Sequence, residues 1–295
     1  MVRATPRRRW AQLLVLVLTG VFLAVPGTAA HASGVNLCAE QVATALAVQA
    51  RIKAHNARPH TFILPRQQLA YNAYNLEAQQ LNAAQAQAKS RLNACLEAMR
   101  TLEDTRAGSP ALTPPRAADL KDIKDAAARV PAGWRPPPPP ARGKPWRVDR
   151  NSPVRPLYDV LRELSPPTFR NVPLRGDPRP GIGSRDLAYP ASTGYTVGRN
   201  AGGLSAVSPD HIIPLAQIIH LPGFLRLSPQ NMYQVVNARV NLQWLSYKSN
   251  WSKSSRSVAG MSSADPAWRT TQMQLEDDVV KVLQDTINKL LRSQA

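Results

Sequence analysis

The spacing of apolar residues divides this chain into stretches of different kinds. Residues 37–104 are rich in Ala, Gln and Leu, with Leu92, Leu96 and Met99 at helical spacing and Pro59 and Pro65 interrupting the run. This predicts two helices, about 38–57 and 66–104, folded as a hairpin. A second helical stripe covers 270–293, where Val279, Val280, Leu283, Ile287, Leu290 and Leu291 mark one buried face. Tyr158–Leu164 predicts a short helix stopped by Pro166 and Pro167, and residues 168–209 read as loops. The alternation in Asn241-Leu-Gln-Trp-Leu-Ser246 suits a short strand.

Two stretches break the pattern. Residues 105–156 hold Pro114-Pro115, five consecutive prolines at 136–140, and Arg135, Arg142, Lys144 and Arg147. They predict an extended basic linker, interrupted by a short helix over 117–129. Residues 1–32 combine Arg3, Arg7, Arg8 and Arg9 with the apolar run Leu13–Pro26 and Ala30-His31-Ala32, the pattern of a cleaved export signal. That run is shorter than the roughly 20 residues a bilayer span needs. The organisation expected is a signal (1–32), an α-helical hairpin or stalk (33–104), a linker (105–156) and a C-terminal domain (157–295), α+β in class. The product is expected to be secreted or held at the cell envelope, with no membrane span after cleavage.

Composition sharpens this picture in two respects. The chain of 295 residues carries 37 Lys+Arg against 19 Asp+Glu, a formal charge of +18, of which the signal contributes only four arginines. Polyanionic partners follow from that imbalance. Two cysteines exclude a disulfide-dense scaffold and a Cys₄ zinc site. Outside the cytosol Cys38 and Cys95 are candidates for a disulfide. Equal rise along the two helices would leave Cys38 about ten residues short of Cys95, so either the loop is displaced or the cysteines pair between chains.

The chemistry concentrates in 208–256. Asp210 and His211 are adjacent and precede Ile-Ile-Pro-Leu; neighbours in a strand face opposite ways, so both reach one site only where the strand ends or bends. Asn241 opens the short strand, Asn250 follows nine residues later, and Lys253 three after that. His211 suits a general base near neutral pH. Asp210 and Asn250 are hard oxygen donors for a cation such as Mg²⁺, Asn241 can orient the imidazole, and Lys253 or Arg256 can meet phosphate. His220, among apolar neighbours, reads as a packed histidine, and Trp244 as core.

Asp210-His211-Ile-Ile-Pro-Leu215, Asn241-Leu-Gln243 and Asn250 with Lys253 resemble the HNH (ββα-metal) nuclease motif over about 45 residues. Asn250 stands where a third His is commonest, which makes it an H-N-N version. The paired cysteines that bind structural zinc in many members are lacking. The resemblance implies two short strands followed by a helix. It also implies one divalent cation, Mg²⁺ or Mn²⁺, held by Asp210 and Asn250, with His211 and Asn241 catalytic. Such an enzyme would hydrolyse DNA in preference to RNA with little sequence specificity. In a toxin setting it would be matched by an acidic immunity or inhibitor protein. The rival expectation is a non-catalytic envelope protein whose basic linker adheres to anionic wall polymers.

Overall fold

The computed structural model describes residues 37–104, 106, 108–169 and 171–294, so the expected export signal lies outside the described residues. The chain divides into two compact units, Val42–Lys89 and a larger one joining residues 37–41 to those from Ser90 onward. Among the described residues no helix is long and apolar enough to cross a membrane.

Helices α1 (Ala39–Asn56) and α2 (Gln68–Glu103) supply the hairpin. In the smaller unit Val48 and Ile52 of α1 close on Leu81 and Ala88 of α2. His55 stacks on Tyr74 with ring centroids 4.0 Å apart. Phe62, in the connection, packs against Tyr71 and Tyr74, so the connection itself covers the start of α2. This is the displaced loop left open by the sequence. Cys38 and Cys95 are joined within the chain, with Cα atoms 6.0 Å apart.

The larger unit is α+β. Strands β1 (Val207–His211) and β2 (Leu242–Ser246) pair antiparallel, with Asp210 opposite Gln243 and His211 opposite Leu242. Two strands alone are marginal in water. Val207, Leu242 and Trp244 bury one face against Leu174 and Val197. Among its described residues, the end of α2 is followed by six more α-helices: α3 (Ala117–Ala127), α4 (Arg155–Glu163), the one-turn α5 (Leu215–Ile218), α6 (Pro229–Val236), α7 (Tyr247–Lys253) and α8 (Pro266–Gln294). α8 is started by Asp265, whose Oδ1 accepts the backbone N–H groups of Ala267 and Trp268, each at 3.0 Å. Val279, Leu283, Ile287 and Leu290 are its buried stripe.

The linker expectation is corrected here. Residues 105–156 are not a free spacer; the described ones belong to the larger unit. α3 packs on α4 and α6, with Ile123 fully buried and Leu112 3% exposed. The buried Arg239 donates to the carbonyls of Pro110 (3.2 Å) and Ala111 (3.0 Å). Further on, the Trp146 N–H donates to the Ser255 carbonyl at 2.9 Å. Gly143, at φ +83°, meets Gly260 so closely that a Cβ on Gly260 would lie 2.3 Å from the Gly143 carbonyl oxygen. The physical reason is that isolated apolar residues among the prolines are enough to dock the segment. Burial of Ile123 gives the measurable consequence. Ile123→Ala should lower the unfolding free energy by about 2–5 kcal/mol in a denaturant titration, whereas an undocked spacer would show no loss.

Candidate active site

β1 ends at His211, and α7 follows β2 without a gap, capped by Ser246 Oγ accepting the Ser249 N–H at 3.0 Å. α7 lies against both strands. The resulting ββα unit borders an open cleft of about 660 Å³, lined by Asp210, His211 and Asn250 together with Ser165 and Arg162. Trp251 stands on its rim, 80% exposed and stacked on Tyr247.

The His211 imidazole is fixed by the end of α6. Its Nε2 lies 2.8 Å from the Val236 carbonyl oxygen, which can only accept, so Nε2 carries the proton. Ser165 Oγ donates to the same carbonyl at 2.8 Å and sits 3.0 Å from Nε2. Nδ1 is therefore the basic nitrogen, and among the described residues no group bonds it. Burial pushes the imidazole below its ordinary range, against the Val236 carbonyl and Asp210, which favour the charged form. A neutral ring with one free lone pair can accept a proton from water.

Asn250 donates through Nδ2 to Ser208 Oγ at 2.9 Å, leaving its Oδ1 as the available oxygen. Asp210 is 5% exposed, with Gln243 Nε2 3.4 Å from its Oδ2. Among the described residues there is no group of three His, Cys, Asp or Glu able to hold a metal. The donors that do line the cleft, one carboxylate and one carboxamide oxygen, fit a hard cation that keeps several waters and takes other oxygens from a substrate.

Three expected roles are corrected. Asn241 does not orient the imidazole. It is fully buried, accepts the Ile213 N–H at 2.8 Å and donates to the Ile213 carbonyl at 3.0 Å, holding the backbone just past His211. Lys253 does not face phosphate. It is 1% exposed, with Nζ 3.2 Å from Asp210 Oδ2 and 2.5 Å from the His211 carbonyl oxygen. Arg256 is turned back on the chain, donating to the carbonyls of Lys253 and Gly260, each at 3.3 Å. Helical spacing carries the signal for Lys253, because it lies four residues after Ser249, which is fully buried on the same face of α7.

Sequence reasoning missed Ser165, the Val236 carbonyl and Arg162. The first two act through a loop and a helix end far away in sequence, with no local signature. Arg162 is exposed at the cleft, and its spacing of four from Tyr158 on α4 is visible in the sequence. The loop around Asp186 was also missed: this buried carboxylate accepts Ser246 Oγ at 2.5 Å and Ser249 Oγ at 2.9 Å, locking the start of α7.

No family model, curated protein or solved structure matches the chain.

Two measurements follow from this geometry. In metal-free protein the His211 Cε1 proton, assigned with His211→Ala, should titrate below the ordinary 6.5 by NMR. A titration at or above that value would contradict the buried neutral ring. Asn241→Ala strands both polar groups of Ile213 and should cost about 1–3 kcal/mol for each in urea unfolding. Asn250→Ala, which loses one half-buried hydrogen bond, should cost about 1 kcal/mol or less.

Proposed function

We propose that this chain is a metal-dependent endonuclease of the HNH (ββα-metal) type, in its H-N-N form, hydrolysing phosphodiester bonds of nucleic acid, DNA preferentially. The observation that carries the reading is that Asp210, His211 and Asn250 meet at one cleft while the Val236 carbonyl holds the imidazole in its Nε2–H form. His211 Nδ1 takes a proton from the attacking water, and the carbonyl steadies the imidazolium that results. Arg162, on the cleft wall, meets the phosphate in place of Lys253. A divalent cation, Mg²⁺ or Mn²⁺, bound at Asp210 and Asn250 would neutralise charge on the phosphate and the leaving oxygen. The expected products carry 5′-phosphate and 3′-hydroxyl ends.

Lys253 refines this picture. Its ammonium already offsets the Asp210 carboxylate, so the pair offers little net negative charge to a free cation. Cation affinity should therefore be low until a phosphodiester adds its own charge. A net charge of +18 supports a polyanionic substrate, and the disulfide suits an exported protein. Secretion through residues 1–32, and an acidic inhibitor in the producing cell, belong to the same proposal.

The test is a metal titration of plasmid nicking. His211→Ala should lower the rate about 10²–10⁴-fold with DNA binding and melting temperature preserved, and added metal should not restore it. Asn250→Ala and Asp210→Asn should recover part of their activity in Mn²⁺. Asp210→Asn is chosen over alanine because its carboxamide oxygen can still accept from the buried Lys253 ammonium, an acceptor that alanine would remove. Parental nicking by His211→Ala would overturn the assignment.

A further inference from the structure

A second cavity, of about 810 Å³, adjoins the cleft and shares Tyr158, Arg162 and Ser255 with it. Its far wall is residues 146–152, part of the segment that the sequence presents as a linker. This wall is built rather than draped. Pro145 bridges to Arg256, the Trp146 N–H donates to the Ser255 carbonyl, and the Trp146 ring stacks on His220 with centroids 5.8 Å apart. Val148 is buried at 9% exposure, and its carbonyl accepts from Arg155 at 3.3 Å. The Ser152 N–H donates to the Asp149 carbonyl at 3.1 Å, closing a turn that leads into α4.

The turn leaves Arg147 and Arg150 exposed on the cavity wall, with Arg162 where the two cavities meet. Among the described residues none of the three has an acidic partner, whereas Arg155 is paired with Asp159 at 2.8 Å. The one acid on that stretch of wall, Asp149, is engaged through Oδ1 with the Asn151 N–H at 2.8 Å. Three unpaired guanidinium groups on a rigid wall, contiguous with a cleft suited to phosphodiester hydrolysis, form an electrostatic track leading away from it.

We propose that this groove carries the phosphates of the nucleic-acid strand continuing from the scissile bond, with Arg147, Arg150 and Arg162 as its contacts. The docked proline-rich segment is thus part of the substrate-binding surface. The inference rests on the nuclease reading for the identity of the polymer and for Arg162, whereas Arg147 and Arg150 lie on the second cavity alone and play no part in that reading. The shared chemistry is a phosphodiester polymer, so the test separates DNA from a wall-type polymer.

The experiment measures binding of the intact chain to a fluorescent 16-nucleotide single-stranded DNA in EDTA, across a range of salt. Arg147→Gln with Arg150→Gln should weaken binding about tenfold or more at low salt. The slope of log K against log salt should become shallower by about 1.4, at roughly 0.7 per lost contact to a single strand. Arg129→Gln with Lys281→Gln removes the same charge elsewhere and should leave that slope nearly unchanged. If both pairs behave alike, the groove is not the track, and the nicking assay still decides the nuclease reading separately. If a glycerol-phosphate polymer of equal phosphate count binds as tightly as the DNA, the nucleic-acid assignment is overturned. Failure of the unaltered chain to bind the DNA at all would also overturn it, and nicking by that same chain would show that the nuclease reading survives.

Discussion

The site depends on what happens to the backbone immediately after β1. A strand that continued past His211 would send Asp210 and His211 to opposite faces, and only one could reach the cleft. Ending it there leaves the polar groups of Ile213 buried without a ladder partner. The Asn241 carboxamide supplies both missing bonds from a fully buried position at the start of β2. One side chain therefore lets the strand stop where the chemistry requires it. Lys253 then ties α7 to the same place by donating to the His211 carbonyl. The remaining contacts, from Ser165 and the Val236 carbonyl, set the ring within a backbone already held.

The ordering of β1, β2 and α7 was legible through the resemblance of 210–215, 241–243 and 250–253 to the ββα motif, which implies two short strands and a helix; the alternation from Asn241 agrees with it. What side chains do within that frame was less legible. Lys253 looks like a surface lysine near a phosphate, yet it sits on the face that Ser249 buries. Asn241 looks like an imidazole partner, but its bonds go to backbone, which residue spacing does not reveal. The hairpin was legible in its two helices, and of the two alternatives left for the cysteines the displaced loop is the one found. Equal rise assumed a tight turn, and Phe62 instead folds the connection over the start of α2. The 105–156 stretch was misread because its prolines dominate composition while a few residues, Leu112, Ile123 and Trp146 among them, decide where it goes.

Net charge is a poor guide to which cations meet a polyanion here. Arg239 is almost completely buried and is committed to three carbonyls, including its neighbour Asn237 at 2.9 Å, with its guanidinium 4.7 Å over the Phe169 ring. Burial lowers its pKa to about 10, so it remains protonated at neutral pH and serves as a structural cation. Lys253 is spent in the same way. The charge left for recognition lies on exposed arginines held by well-packed backbone, and the proline-rich segment supplies several of them.

His220 sits between two indoles, Trp134 at 5.9 Å and Trp146 at 5.8 Å, both brought to it by the segment between α3 and α4. Indole emission responds to an adjacent imidazole and to its protonation, and burial keeps this ring below its ordinary pKa. The same stacking that docks the segment thus gives two of its indoles an imidazole neighbour that alters their emission. Of the six tryptophans in the chain, Trp134 and Trp146 are the ones whose fluorescence would change if the proline-rich segment left its seat.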